Sequence, residues 1–424
     1  MDKCNHYGII ANEKTLNCLK ENNMSVGVCI INRNGIALAA DSAGTFTGNR
    51  MFYNSMNKVF SLSKKYTYGA ITCGNASLYS VSIDQVLKEF CVYSDEHDGV
   101  DDFFEITSMF QHFIEEKKDY YRFDNAELTD CISNIKDIIC NYNYGSRIKN
   151  IIEAGGSVSQ IDEILDELEA EINNSPRIEN YDVRQYIDEK YREQYKTIIQ
   201  NLIPELEKHN DQFNRFWRLI TEYFNLSLSK ETQNPIRLLF AGYGSSDAFP
   251  KYVIIDVYTV VGGRLKYSIL ERFEESNNNA KIVPLAQGDV VLTFCRGISD
   301  DFIDFIPKKV EEIINAKISV LSSSFTEEQN NAIKSSFSSC KEEVISAISD
   351  SIQNKNVNPI FESVQLIPLP EMAFLAESLV NITSLKRTFS LDGNQQTVGG
   401  PTDVAVLSKG DGFVWVKTKQ IYKV

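Results

Sequence analysis

Residues 25–74 read SVGVCIINRNGIALAADSAGTFTGNRMFYNSMNKVFSLSKKYTYGAITCG. Val26–Ile31 and Ile36–Ala40 are apolar, largely β-branched or small, and short enough to be buried strands. Between them Asn32-Arg33-Asn34-Gly35 ends in Asn-Gly, a pair that tolerates the positive φ of tight hairpin turns. After a glycine-containing link, a lone Lys58 precedes a second strand-like pair, Val59–Leu62 and Tyr68–Thr72. That pair closes at Cys73-Gly74-Asn75, where Val81, Ile83, Val86, Leu87 and Phe90 take up helical spacing.

Beyond this stretch the chain divides by its patterning. Residues 1–24 are polar and lack the apolar core of a secretory signal. From about 95 to 235 the sequence is acidic, aromatic and helix-patterned. In its clearest part Ile161, Ile164, Leu165, Leu168 and Ile172 form one apolar stripe opposite a run of carboxylates, which reads as a solvated face. Strand signals return in IRLLFAGYG and YVIIDVYTV, and the segment IVPLAQGDVVLTF leads into a second helical block at about 298–356. PEMAFLAESLVNITSLKRTFS is a further helix, and Val404–Leu407 with Phe413–Val416 form a closing hairpin around Lys-Gly-Asp-Gly.

The order of residues in 25–74 resembles the start of the proteasome β-subunit and HslV group of N-terminal-nucleophile hydrolases. There a mature chain begins with Thr, Ser or Cys, a hairpin ends in Ala-Asp, a lysine follows, and a glycine precedes a helix. On this sequence Ser25 takes the nucleophile position, Ala40-Asp41 the Ala-Asp, Lys58 the lysine and Gly74 the oxyanion glycine. The resemblance implies an α+β fold, the four-layer αββα sandwich of that family. It would span residues 25–424 as one domain, decorated by the two helical insertions and preceded by a leader at 1–24. It also implies that Met56, Thr72 and Ala76 line the substrate pocket and favour a modest apolar side chain, and that the chain forms homo-oligomers.

The chemistry is coherent residue by residue. A serine hydroxyl needs a base, and a chain-terminal amine, with an ordinary pKa of about 7.7–8.0, supplies one near neutral pH. A nearby Lys58 cation lowers that pKa, Asp41 orients the cation, and a Gly74 N–H lets backbone approach an oxyanion. With residues 1–24 attached the Ser25 nitrogen is an amide and has no such basicity. Removal after self-cleavage, or initiation at Met24 followed by loss of that Met, would each expose it.

The chain departs from the family where active members carry supporting Asp and Ser residues. The positions before Gly399-Gly400 hold Gln395 and Val398, and the family's Ser-Gly-Ser turn reads Ala286-Gln287-Gly288-Asp289. Asp289 and Asp392 are the available substitutes. The alternative reading is accordingly a catalytically inactive relative that serves as an assembly or binding scaffold.

Composition sets the outer limits. The chain has 424 residues, 43% apolar and 24% charged, and a formal net charge of −15. Such a charge disfavours a phosphate-backbone partner and an anionic membrane surface. No apolar run approaches the roughly 20 residues that span a bilayer. Nine cysteines make an odd set with no C-x-x-C pair, and the four histidines are scattered, so no metal and no organic cofactor is implied. Reduced thiols and the absence of a targeting segment point to the cytoplasm. Gly242-Tyr-Gly-Ser-Ser matches neither a dinucleotide-binding nor a nucleophile-elbow pattern, which removes the nucleotide-binding class.

Overall fold

The computed structural model describes residues 25–46, 51–79, 81–121, 127, 144–178, 181–203, 206–226, 235–275, 279–321, 326–389 and 399–419. The expectations for residues 1–24, Asp392, Gln395 and Val398 lie outside the described residues.

Gly27–Asn32 (β1) and Gly35–Ala40 (β2) form the opening hairpin, followed by the ribbon Gly44–Phe46 (β3) and Met51–Tyr53 (β4). Val59–Ser61 (β5) and Tyr68–Gly74 (β6) pair next, then the short ribbon Ser77–Leu78 (β7) and Val81–Ser82 (β8). Helices Ile83–Glu96 (α1) and Ile106–Glu116 (α2) lead to four more: Tyr144–Glu153 (α3), Val158–Asn174 (α4), Arg184–Leu202 (α5) and Asn210–Tyr223 (α6). Strands Ile236–Gly242 (β9), Lys251–Val261 (β10), Arg264–Glu274 (β11) and Lys281–Ala286 (β12) follow. Helices Asp289–Arg296 (α7), Asp300–Leu321 (α8), Glu327–Ile352 (α9), Asn358–Leu366 (α10) and Leu369–Phe389 (α11) precede the hairpin Asp403–Ser408 (β13) and Gly412–Lys417 (β14).

Two five-stranded antiparallel sheets organise this order, β12-β1-β2-β13-β14 and β11-β10-β9-β6-β5. They meet where β6 faces β1, β2, β12 and β14, and α11 packs on β1, β2 and β13. Every residue of β1 and β2 is buried, as their unbroken apolar reading requires. Their turn is Arg33-Asn34, bracketed by the paired Asn32 and Gly35, and the Asn32 side chain accepts the Asn34 N–H at 2.8 Å. Gly35 has φ +150°, and a Cβ there would meet the Leu407 carbonyl oxygen at 2.3 Å. Backbone conformation and close contact with β13 therefore both require glycine here.

The expected α+β, four-layer αββα sandwich requires correction. The chain is a mixed α/β structure with about 52% helix, in which antiparallel sheets of five, five and two strands occur. The physical reason lies in the helical segments read as decoration, because they carry a core of their own. Ile148, Ile161, Leu165, Ile172, Ile187, Tyr195, Phe216 and Trp217 bury one another across α3–α6, and only Val261 of the sheets joins their buried cluster. A second core lies between β9, β10 and the aromatic faces of α1 and α2, and a third between the two sheets and beneath α11. Helix here is a separate centre of hydrophobic burial rather than a covering layer.

Candidate active site

Asp41 follows β2 directly. Its N–H donates to the Val26 carbonyl at 3.1 Å, extending the hairpin ladder by one rung. That rung turns the Asp41 side chain back onto the start of β1, where its Oδ1 accepts the Val26 N–H at 3.0 Å. The same oxygen accepts Lys58 Nζ at 2.6 Å. Oδ2 accepts the N–H groups of Ala43 at 3.3 Å and Gly399 at 3.1 Å. A carboxylate removed from water with four donors arrayed around it is well compensated. Asp41 and Lys58 are both buried.

Lys58 reaches Asp41 from the other sheet. It sits just before β5, and its carbonyl accepts the Thr72 N–H of β6 at 2.9 Å. The Lys58–Asp41 pair therefore bridges the two five-stranded sheets. Ser25 immediately precedes the Val26 amide that this carboxylate binds, and it is only 7% exposed. Gly74 ends β6 opposite Ile236 with φ +85°. A Cβ at Gly74 would meet the Pro235 carbonyl oxygen at 2.3 Å, so close packing alone requires glycine there.

The three expected pocket residues are placed unequally. Met56 donates its N–H to the Ser42 carbonyl at 3.0 Å, and its side chain fills the space a Cβ on Gly44 would need. Thr72 is buried, and its Oγ1 has no hydrogen-bond partner among the described residues. Ala76 is tied by its backbone to the start of α1, its carbonyl accepting the Ile83 N–H at 2.9 Å. Asp289 is drawn off altogether. It opens α7 and pairs with Arg387 at 2.6 Å and Lys386 at 3.2 Å on α11.

Two further ionic groups border the site. Arg237 of β9 clasps Asp256 of β10 through Nε–Oδ1 at 2.8 Å and Nη2–Oδ2 at 2.9 Å, both residues buried. Cys73, opposite Arg237 in register, donates its thiol to the Leu285 carbonyl at 3.3 Å. Burial pushes this thiol up to about 12, with the charges of Arg237, Asp256, Lys58 and Asp41 acting on it in opposite senses. It is a protonated core group, not a nucleophile. At the chain's other end Lys419 Nζ donates to Ser42 Oγ at 3.0 Å and to the Met56 carbonyl at 2.7 Å, and it pairs with Asp403. Ser42 Oγ donates in turn to the Pro401 carbonyl at 2.7 Å.

These neighbours were partly readable. IRLLFAG and YVIIDVYTV each carry one charge in an otherwise apolar strand, and adjacent buried strands of that kind pair their charges. Lys419 gave no such signal, since two of its partners, Ser42 and Met56, lie more than 360 residues away. Among the described residues no cluster of three His, Cys, Asp or Glu side chains is placed to hold a metal ion. Nor is any described helix long and apolar enough to cross a membrane. No protein-family model and no curated protein matches the chain.

Proposed function

We propose that the chain hydrolyses amide bonds in peptides as an N-terminal-nucleophile enzyme, with Ser25 as nucleophile and its own α-amine as base. One observation carries this reading: the Asp41 Oδ1 receives both the Val26 N–H and the buried Lys58 ammonium, at 3.0 and 2.6 Å. The cation thereby shares its carboxylate oxygen with the amide that follows Ser25. Once the Ser25 amine is free, that cation favours its neutral, proton-accepting form.

Ser25 Oγ would attack the substrate carbonyl carbon while its proton passes to the amine. The tetrahedral oxyanion would be met by backbone N–H at Gly74, and the amine would return the proton to the departing nitrogen. Water, activated by the same amine, would then release the acyl group from Ser25. Met56 and the unpartnered Thr72 hydroxyl, with Ala76, would contact the substrate and offer no charge to a basic or acidic side chain. The partners on this reading are peptide or protein substrates and further copies of the chain, in the cytoplasm, without metal or organic cofactor.

The scaffold reading has one observation in its favour. Asp289, a candidate for the missing support, spends its carboxylate on Lys386 and Arg387. Replacing Ser25 by alanine separates the two. Hydrolysis of a peptide library should disappear while the thermal melt stays unchanged, and undiminished turnover by Ser25→Ala would remove Ser25 from the mechanism.

A further inference from the structure

Lys419, two residues after β14, carries a largely buried ammonium that the proposed mechanism leaves unused. Its side chain is 9% exposed, and that of its partner Asp403 is 4% exposed. An ammonium has three N–H donors and no acceptor. Each donor here meets its own acceptor: Ser42 Oγ at 3.0 Å, the Met56 carbonyl at 2.7 Å and Asp403 Oδ2 at 2.5 Å. The Lys419 N–H donates to Asp403 Oδ1 at 2.7 Å, so backbone and side chain hold one carboxylate. Ser42 gives its single hydroxyl hydrogen to the Pro401 carbonyl, which leaves its lone pairs for the ammonium.

The three acceptors belong to three separate segments, and each segment carries part of the candidate site. Ser42 follows Asp41, and Met56 lies two residues before Lys58. Asp403 opens β13 opposite Ala40, and four residues before it the Gly399 N–H binds Asp41 Oδ2 at 3.1 Å. Ser42 and Met56 both lie between strands, where no sheet ladder fixes the backbone. Two backbone hydrogen bonds join the same segments, from the Ser42 N–H to the Gly399 carbonyl at 3.3 Å and from the Met56 N–H to the Ser42 carbonyl at 3.0 Å.

We infer that Lys419 is a positioning residue, whose ammonium clasps the segments at 41–42, 56–58 and 399–403 and so holds Asp41, Lys58 and Met56 in their working places. A compact ammonium suits three acceptors that converge from three segments, whereas the planar fork of an arginine does not. The consequence for catalysis rests on Ser25 being the nucleophile; the clasp itself does not.

Lys419→Met removes the clasp but strands the Asp403 carboxylate in the interior, so its thermal melt should fall. Lys419→Met combined with Asp403→Asn removes the clasp and the stranded charge together, and should melt close to the parent. In this double variant hydrogen–deuterium exchange at 41–44, 54–58 and 399–403 should rise at least about tenfold, because charge-assisted hydrogen bonds no longer oppose local opening. Exchange in β9 and β10 of the other sheet should stay as in the parent. Acylation of Ser25 by a peptidyl β-lactone, measured well below both melts, should slow by at least about the same factor. Ser42→Ala, which removes one acceptor and strands no charge, should raise exchange in the same three segments by a smaller factor. A lysine that only added stability would move neither local exchange nor acylation in a variant that melts like the parent. Unchanged exchange at the three segments overturns the inference, as does a rise shared equally by β9 and β10, or faster local exchange with undiminished acylation. A parent protein that takes no acyl group removes Ser25 from the chemistry instead, and exchange then decides the clasp.

Discussion

Removing the Lys58 ammonium while keeping its length, Lys58→Met, gives the most quantitative test of the site geometry. Lys58 and Asp41 are both buried and 2.6 Å apart, so neither charge is screened by water. Removing one member of such a pair costs about 3–5 kcal/mol, chiefly because the other charge is left uncompensated in the interior. Here Asp41 retains three backbone donors, from Val26, Ala43 and Gly399. Hydrogen bonds to a charged acceptor are worth about 1.5–3 kcal/mol each, so the residual carboxylate is not bare and the loss should fall near about 3 kcal/mol. Asp41→Asn alone strands Lys58 similarly. The double variant, having no charge left to strand, should lose less than the sum, with a coupling of about 2 kcal/mol. Urea unfolding of the four proteins, followed by fluorescence of the two tryptophans and by circular dichroism, reads these differences. A Lys58→Met variant within about 1 kcal/mol of the parent would refute the view that this pair is desolvated and joins the sheets.

Other consequences are as direct. Gly74→Ala should destabilise by about 1–3 kcal/mol, since its φ of +85° and the 2.3 Å approach to the Pro235 oxygen both exclude a Cβ; a neutral result in the same unfolding assay would contradict it. On the exposed surface of the helical segment, hydrogen bonds from Arg184 hold the Asp182 carboxyl well below the usual carboxylate range, against an opposing effect of burial. A carboxyl depressed in the folded state stabilises above its unfolded pKa of about 3.9 and ceases to do so as pH falls towards its folded value. Asp182→Asn should therefore lower the urea midpoint at pH 7, and the gap should close on acidification, whereas a gap that widens would reverse the assignment. Burial raises the thiols of Cys29, Cys73 and Cys295, so of the four described cysteines brief native alkylation with mass mapping should modify the less buried Cys91 first and leave the other three unmodified.

Legibility from sequence followed physical lines. β1, β2, β6, β9 and β10 were readable because fully buried strands are apolar runs bounded by turn residues, and the closing hairpin declared itself by its glycines. The stripe Ile161, Ile164, Leu165, Leu168, Ile172 is the buried face of α4. β11 was not readable, since Arg264, Lys266, Glu271 and Arg272 interrupt a strand at the sheet edge and mask its period. What the helices would pack against was not readable either, because an amphipathic stripe names a buried face but not its partner. That is why the αββα expectation failed on the helical core of α3–α6. At the site, Asp41 and Lys58 could be found by their order along the chain. The bridging roles of Gly399 and Lys419 could not, because those contacts close only in three dimensions.

In the proposed mechanism Ser25 acts through a free α-amine beside the Lys58–Asp41 pair. Intact mass spectrometry of native, untagged protein after treatment with a peptidyl β-lactone, which acylates an activated hydroxyl, tests it most directly. The expected product is a chain that begins at Ser25 and carries one acyl group mapped to Ser25, with the adduct absent in Ser25→Ala and strongly reduced in Lys58→Met. A chain that keeps its residue 24–25 bond and still turns over peptides, or an acyl group carried at another residue, would contradict it.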